Sequence, residues 1–364
     1  MESKKINSLT GMRFFAIMII VISHFEFIKN IAIGPIYWQF FHNPEIGVDF
    51  FFVLSGFGLM LSDINRNGWN IGNTINIKNL FMFAYNHIKK IYPIYISTIF
   101  LCIPLALYFS LLKGVSIFAT INLLALKLVC SIGLIQSLFG VSWLSHSYNG
   151  VCWFLSALCC IYFLCPVLIN LLKRFCTSFN KTTFLLVLCL ISTSGFIYLF
   201  KQIQQLTFFD DLTYGSPYIR VFYVIFGMLI AILFKKLPDI KTGNMTELFV
   251  FSGYILYFLF RKTILFTLPY ISIIYIIDLL FAGLVVLMLA YNKGFVSKIL
   301  SKPSLVYLGN VSMYIFLIHY PIRMYSATLL KPYLNDWYTI SLLVFVILVV
   351  TLLISHLIYK HSQS

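Results

Sequence analysis

Charged residues are scarce in this chain of 364 residues: 10% are Asp, Glu, Lys or Arg, whereas 60% are hydrophobic. A soluble domain is about one quarter charged, so this composition excludes a soluble protein and predicts one embedded in a lipid bilayer. Acidic residues are rarest, with 11 Asp and Glu against 26 Lys and Arg. Most of the basic residues lie in short loops between apolar runs, as the positive-inside bias requires. We therefore expect a membrane protein with no nucleic-acid partner.

Patterns that mark other membrane functions are also lacking. The eight cysteines lie in or beside apolar runs without metal-ligand spacing. That placement favours buried packing residues over disulfides. No two histidines have i, i+4 spacing and carboxylates are few, so we expect no metal cofactor. No inverted repeat of the transporter kind is visible.

Apolar runs of about 20 residues, the length that crosses a bilayer as a helix, predict an all-α polytopic fold of about ten transmembrane helices. We expect one integral membrane domain over 1–364 and no soluble domain. A further segment, near 117–139, has Lys127 at its centre. A central lysine costs about 2.5–3.5 kcal/mol on insertion, so we expect a re-entrant or interfacial helix there. The ten predicted spans are 11–30, 44–63, 91–112, 151–172, 182–200, 217–235, 246–263, 267–290, 304–325 and 337–359.

The loop charges predict the orientation. With the N-terminus inside and ten spans, 16 Lys and Arg residues are cytoplasmic and nine lie on the opposite side. Making 117–139 a full span would invert the later loops and move Lys173 and Arg174 outside. We therefore expect both termini in the cytoplasm. The N-terminal run has no small-residue cleavage site, so it is expected to be a retained helix rather than a signal peptide.

The first apolar run holds Arg13 near its start and His24 near its end. Eleven residues of helix rise about 16–17 Å and return to within roughly 20° of the same face. Polar groups at membrane depth are costly, so a pair on one face favours a functional role. Each residue alone also has a structural explanation. Arg13 would serve as a snorkelling anchor, and His24 as a hydrogen-bonding residue between helices.

Other polar residues approach the same depths. Asp49 lies near the start of the second span, close to the level of His24. Its carboxylate would either orient the imidazole or interact favourably with the dipole at the N-terminus of its own helix. Lys89 and Lys90 before the third span would receive the phosphates of a nucleotide-like donor, or simply follow the positive-inside bias. Towards the opposite side we expect a substrate-binding group, with small residues around Ser55 that also suit helix packing. Its members are Ser55, Trp153, Arg220 and His319. Imidazoles in such a group suit a general base or acyl carrier acting on a hydroxyl.

Four segments, in order, resemble the acyltransferase-3 family of integral membrane acyltransferases. Arg13 and His24 match its Arg-X10-His motif, and residues 47–57 (GVDFFFVLSGF) resemble its second-helix signature. Residues 90–95 (KIYPIY) resemble its Arg-Ile-Tyr-Pro stretch. Residues 307–321 (YLGNVSMYIFLIHYP) resemble its late Leu-Gly-x-x-Ser-Tyr…His-x-Pro element.

The resemblance implies transfer of an acyl group, usually acetyl from cytoplasmic acetyl-CoA, to a hydroxyl of a surface carbohydrate. His24 matches the histidine taken as catalytic in that family, and we expect Asp49 to assist it. Arg13 matches an arginine needed for activity, and with Lys89, Lys90 and Tyr92 it is expected to bind the donor. The expected location is the bacterial inner (plasma) membrane. The expected partners are the lipid bilayer, the glycan acceptor, and a second copy or polysaccharide-assembly proteins.

The chain also departs from the family pattern. Thr10 replaces a frequent Asp, Lys90 replaces an arginine and so loses its bidentate fork, and Tyr223 stands where an acid would follow Arg220. Leu158 and Cys159 occupy the place of an acid in the fourth span. These changes point to a subgroup that modifies capsule, lipopolysaccharide or exopolysaccharide. Since the family's fused hydrolase-like domain is lacking here, the protein is expected to act alone or to hand the acyl group to a partner.

Three functions remain open at this point. An O-acetyltransferase of a polysaccharide or its lipid-linked precursor is the leading expectation. An O-succinyltransferase differs only in the acyl group. A glycan or organic-anion transporter or flippase would use the polar stripe as a substrate path, although the scarcity of acidic coupling residues and the lack of inverted repeats count against it.

Overall fold

The computed structural model describes residues 6–30, 34–72, 76–114, 116–237, 243–267, 271–334 and 336–362. All regular secondary structure in these ranges is helical, which confirms the all-α prediction. In chain order the α-helices are α1 Asn7–Ser23, α2 Gly34–Ile36, α3 Pro44–Asn67, α4 Ile77–Ile88, α5 Tyr92–Leu112, α6 Ile117–Ile132, α7 Ser142–Ser145, α8 Trp153–Phe175, α9 Phe179–Leu206, α10 Pro217–Lys236, α11 Asn244–Thr267, α12 Ile271–Tyr291, α13 Phe295–Leu300, α14 Pro303–Leu329 and α15 Trp337–His361.

Nine helical stretches of the described chain are long and apolar enough to cross a membrane. They correspond to nine of the ten predicted spans and confirm a polytopic membrane fold. The remaining predicted span, 11–30, is the shorter α1, whose 17 residues extend about 25 Å. At its end Ser23 Oγ and His24 Nδ1 both donate to the Ile20 carbonyl at 2.7 Å. Side chains thus supply donors to a carbonyl in the last turn of the helix.

The segment near 117–139 forms a helix only as far as Ile132. Gly133 follows the helix, and Leu134, at a φ of 54°, turns the chain. With 16 residues α6 is shorter than the nine membrane-crossing stretches, in line with the expected re-entrant or interfacial helix. Lys127 lies 5.7 Å from the centre of the Trp143 ring, an arrangement in which the ring face attracts the ammonium group.

Glycines allow the central helices to pack without intervening side chains. Gly56 of α3 meets the Val224 carbonyl of α10, and Gly227 of α10 meets the Val53 carbonyl of α3. A Cβ atom at these positions would lie 1.9 and 2.0 Å from the respective oxygens. Such close approach through small residues is typical of helix packing in membranes. It holds α3 and α10 in a single register.

A second close approach joins α1 to α14. Gly11 of α1 meets the Leu300 carbonyl, and Gly309 of α14 meets the Thr10 carbonyl, where a Cβ would lie 2.0 and 1.8 Å from oxygen. Both helices run from this contact in the same direction. Their parallel course brings residues far apart in sequence together at the other end of α1.

Candidate active site

A cavity of 610 Å³ opens between α1, α3, α4 and α8 near the start of α1, and we call it the Arg13 cavity. A smaller cavity of 240 Å³ adjoins it and shares Arg13, Gly58 and Ser62 with it. Gly58 has open space where a Cβ would stand, so its lack of a side chain leaves room for a ligand. Polar and charged residues that line the larger cavity are Arg13, Ser55, Ser62, Asp63, Arg66, His87 and Tyr162.

The Arg13 cavity keeps a net positive lining. Its one carboxylate, Asp63, pairs with the buried ammonium group of Lys173, which also donates to the Asn70 carbonyl at 3.1 Å. Arg13 and Arg66 have no carboxylate partner within the described residues. Two guanidinium groups, one from α1 and one from α3, line this cavity. They suit a phosphate-bearing ligand, because their planar forks match phosphate oxygens.

The structure brings only some of the predicted donor-binding residues to this cavity. Lys89 and Lys90 are exposed, and Lys89 Nζ donates to Asn86 Oδ1 at 2.9 Å. Tyr92 donates from its hydroxyl to the Ile132 carbonyl at 2.8 Å. None of the three is among the residues that line the cavity, whereas the neighbouring His87 is.

Two histidines meet at the far end of α1. His319 Nε2 of α14 lies 3.4 Å from His24 Nδ1, and the ring centres are 5.2 Å apart. Tyr320 completes the cluster, with its ring 5.6 Å from that of His24 in an edge-on arrangement. His319 is fully buried and His24 is half-buried. The sequence predicted a role for each histidine but not this contact.

Hydrogen bonds to carbonyl groups assign the protons of the two rings. His24 Nδ1 lies 2.7 Å from the Ile20 carbonyl, and His319 Nδ1 lies 3.2 Å from the Ile315 carbonyl. A carbonyl only accepts, so each Nδ1 must carry a hydrogen and donate it. In the neutral rings His319 Nε2 is then an acceptor that faces the N–H of His24. The unprotonated Nε2 of His24 makes no hydrogen bond within the described part of the chain and is left as a base.

A narrow apolar gap separates the Arg13 cavity from the histidines. Its volume is 10 Å³, about enough for one water molecule. Phe51, Phe154 and Met313 line both the gap and the Arg13 cavity. Phe316 lines only the gap, and the centre of its ring lies 6.2 Å from that of the His319 ring. Met313 is unbranched and is the most adaptable of the side chains that line the gap.

Asp49 lies in a different environment from the predicted one. Its Oδ1 accepts from Arg220 Nη1 at 2.6 Å, and both side chains are 1% exposed. The contact with His24 that the sequence predicted is absent from the described residues. Asp49 lies on the face of α3 that packs against α10, and depth alone does not reveal this rotation. A catalytic role for Asp49 stays a prediction.

Aromatic rings enclose Arg220. The guanidinium carbon lies 5.1–5.6 Å from four ring centres, and Arg220 Nε donates to the Tyr214 carbonyl at 2.8 Å. Trp153, predicted to bind the acceptor, is one of these rings and is 4% exposed. The pair of Asp49 and Arg220 is thus a buried, desolvated connection between α3 and α10. The four rings belong to Phe52, Trp153, Tyr214 and Tyr223.

Sequence reasoning missed several polar residues of these sites. In the count of loop charges, Arg66 was one of the cytoplasmic basic residues and Arg323 one of those on the opposite side, and neither they nor His87 were predicted to belong to a site. The spacing along α14 could have identified Arg323, because it lies four residues after His319 and hence on the same face of the helix. Arg261 is part of a buried cluster and donates to both carboxylate oxygens of Asp278, at 2.8 and 2.9 Å. No pattern in the sequence predicted this pair.

Two of three comparisons with known proteins find nothing similar. No curated protein and no solved structure matches the chain. A family model described as an acyltransferase domain, that of acyltransferase-3, matches residues 6–360, which is nearly the whole chain. With its apolar helices and the paired histidines of α1 and α14 in place, the protein belongs to the acyltransferase-3 family of membrane acyltransferases.

Proposed function

We propose that this membrane acyltransferase is an O-acetyltransferase of the bacterial inner membrane. It transfers acetyl from cytoplasmic acetyl-CoA to a hydroxyl of a surface polysaccharide or of its lipid-linked precursor. One observation carries the proposal: α1 joins a cationic cavity at Arg13 to a free imidazole nitrogen at His24, with a narrow apolar gap between them. That arrangement suits a donor with a charged head and a long, thin arm.

The donor is proposed to bind with its phosphates in the Arg13 cavity. Arg13 and Arg66 supply unpaired guanidinium groups there, and His87 and Ser55 add hydrogen-bonding capacity. The pantetheine arm would follow the gap beside Phe316 and present its thioester near His24. Because the gap is apolar and about one water wide, it would restrict water near the thioester and disfavour hydrolysis.

His24 is proposed to act as the general base. Its Nε2 takes the proton of the acceptor hydroxyl while the acceptor oxygen forms a bond to the thioester carbonyl carbon. The carbon–sulfur bond then breaks, and the thiolate of CoA leaves with the proton returned by the imidazolium. The same nitrogen would react if it first carried the acetyl group, so Nε2 is the reacting atom on either route.

His319 is proposed to position His24. Its Nε2 lies 3.4 Å from the His24 Nδ1–H that donates to the Ile20 carbonyl, so it is a second acceptor for the same hydrogen and favours the tautomer that leaves His24 Nε2 unprotonated. In this proposal the orienting role expected of Asp49 passes to a second histidine. A neutral partner also avoids adding a buried charge, which would be costly at this depth.

The test replaces His24 with Ala in cells and measures O-acetyl signals of the surface polysaccharide by proton NMR. We expect their loss, with retention in the matched His356→Ala variant, whose imidazole is exposed on α15 and bonds Tyr307. Full acetylation by H24A would contradict the proposal. Purified protein should also consume acetyl-CoA, whereas a transporter or flippase would not. Succinyl signals in place of acetyl would instead identify the succinyl variant.

A further inference from the structure

Arg323 lies on α14 beyond the end of α1, on the side of His24 away from the Arg13 cavity. α1 ends at Ser23, but α14 continues from His319 to Leu329, which is about 15 Å of helix. Arg323 is one turn beyond His319 and so lies on the same face of α14. An acceptor that came to His24 along this face of α14 would pass the guanidinium group.

The neighbours of Arg323 place it close to the histidines. Its guanidinium carbon lies 5.7 Å from the centre of the Tyr320 ring, and the His24 ring lies 5.6 Å from that same centre. The separation between guanidinium and imidazole is therefore no more than the sum of these two distances. A ligand of roughly one or two sugar units is long enough to contact both groups.

Arg323 is half-buried and lacks, within the described residues, the carboxylate partners that the buried arginines have. Arg220 pairs with Asp49, and Arg261 pairs with Asp278 and Glu45. Arg323 forms no ion pair within the described residues, and its Nε is buried without a hydrogen-bond partner. Glu26, on the turn that follows α1, is exposed and is not paired with it there.

A buried N–H without a hydrogen-bond partner costs free energy, and a ligand that accepts from it would recover that cost. Its planar fork matches the two oxygens of a carboxylate or phosphate. We propose that Arg323 binds a carboxylate or phosphate of the acceptor, so that the substrate class is an anionic glycan, such as one containing uronic acid or sugar phosphate. This inference rests on the proposed acetyl transfer, since it names the acceptor of that reaction.

The experiment measures ligand binding by thermal unfolding of the purified protein in phosphatidylcholine nanodiscs. Probes are glucuronate and inorganic phosphate, with glucose as the uncharged control, all at matched ionic strength because salt screens exposed charges. We expect both anions, but not glucose, to raise the unfolding temperature. For Arg323→Gln, anion affinity should fall about tenfold or more, as loss of a charged hydrogen bond implies.

Two further variants make the result specific. Arg323→Lys keeps the charge but loses the fork, so it should retain part of the shift. Lys113→Gln removes an exposed charge at the end of α5, outside the site, and should retain all of it. An equal shift with glucose and glucuronate, or a full shift in R323Q, would overturn the proposal.

A lipid phosphate has the same chemistry as the proposed ligand. Nanodiscs of phosphatidylglycerol separate the two sources. If these discs abolish the glucuronate shift, lipid headgroups occupy Arg323, and the acceptor assignment is overturned; a persisting shift supports it. Acetyl-CoA consumption is measured in parallel on the wild type. Its absence would count against acetyl transfer while leaving the anion result intact, so the two failures are distinguishable.

Discussion

His319 Nε2 lies 3.4 Å from His24 Nδ1, and each Nδ1 donates to a carbonyl of its own helix. The two side chains come from residues 295 positions apart. Their contact exists because α1 and α14 run parallel from the tight approach of Gly309 to the Thr10 carbonyl. The contact between the two imidazoles is therefore tied to a backbone contact near the opposite end of α1.

Substitution of His319 should lower acetyl transfer by weakening the orientation of His24. We expect His319→Ala to reduce kcat about tenfold to a hundredfold, the usual effect of removing a supporting hydrogen bond. His319→Gln offers a side-chain oxygen as acceptor and should restore part of the rate. Loss in H24A should be larger, about 10²–10⁴-fold, as for a general base. If H319Q were no better than H319A in a purified assay, the positioning role would be wrong.

The Arg13 cavity predicts which basic residues bind the donor. Arg13→Gln and Arg66→Gln should each raise KM for acetyl-CoA about tenfold, because each removes one charge-assisted contact. Arg174→Gln, an exposed arginine at the end of α8, is the matched control and should leave KM unchanged. Lys90→Gln tests the prediction from the sequence separately. An increase in its KM as large as that of Arg66 would extend the donor site to the turn between α4 and α5.

The ion pair of Asp49 and Arg220 predicts a stability effect that reverses in a double variant. Arg220→Met leaves the Asp49 carboxylate buried without its partner and should cost about 3–5 kcal/mol of folding stability. Combining it with Asp49→Asn removes both charges and should recover most of the loss, read as unfolding temperature in detergent. The folded double variant also decides whether Asp49 is catalytic. Retained acetyl transfer would show that the carboxylate is structural.

Two glycines in one helix predict opposite outcomes. A methyl group at Gly56 would meet the Val224 carbonyl at 1.9 Å, whereas nothing lies within 4 Å of one at Gly58. Gly56→Ala should therefore separate α3 from α10 and cost about 1–3 kcal/mol, as overpacking usually does. Gly58→Ala should fold like the wild type. Equal unfolding temperatures for the two variants would contradict the packing of these helices.

Much of the site was accessible from the sequence because its elements are local. Apolar length predicted nine of the membrane helices, and the spacing of Arg13 and His24 predicted their separation along one helix. The end of α1 was not accessible in this way. There the Ser23 and His24 side chains both donate to the Ile20 carbonyl. Hydropathy does not report such a detail.

The partner of each polar side chain was decided only by the tertiary structure. The sequence placed Asp49 near the level of His24 and assigned His319 to a substrate-binding group. Asp49 faces Arg220 instead, and His319 faces His24. Helix depth follows from counting residues, but the rotation of a helix about its axis is set by how it packs against its neighbours.

The sequence by itself determined that this protein lies in a lipid bilayer, where most of its helices are, and which family it resembles. It also identified the residues on α1 where chemistry is expected. These are properties of single segments, set by hydropathy and by the geometry of one helix. Only the tertiary structure decided that Arg66 and His87 line the same cavity as Arg13, that His319 lies against His24, and that Arg323 Nε has no hydrogen-bond partner within the described residues. Those relations join helices distant in sequence, and glycine-mediated contacts between the helices determine them.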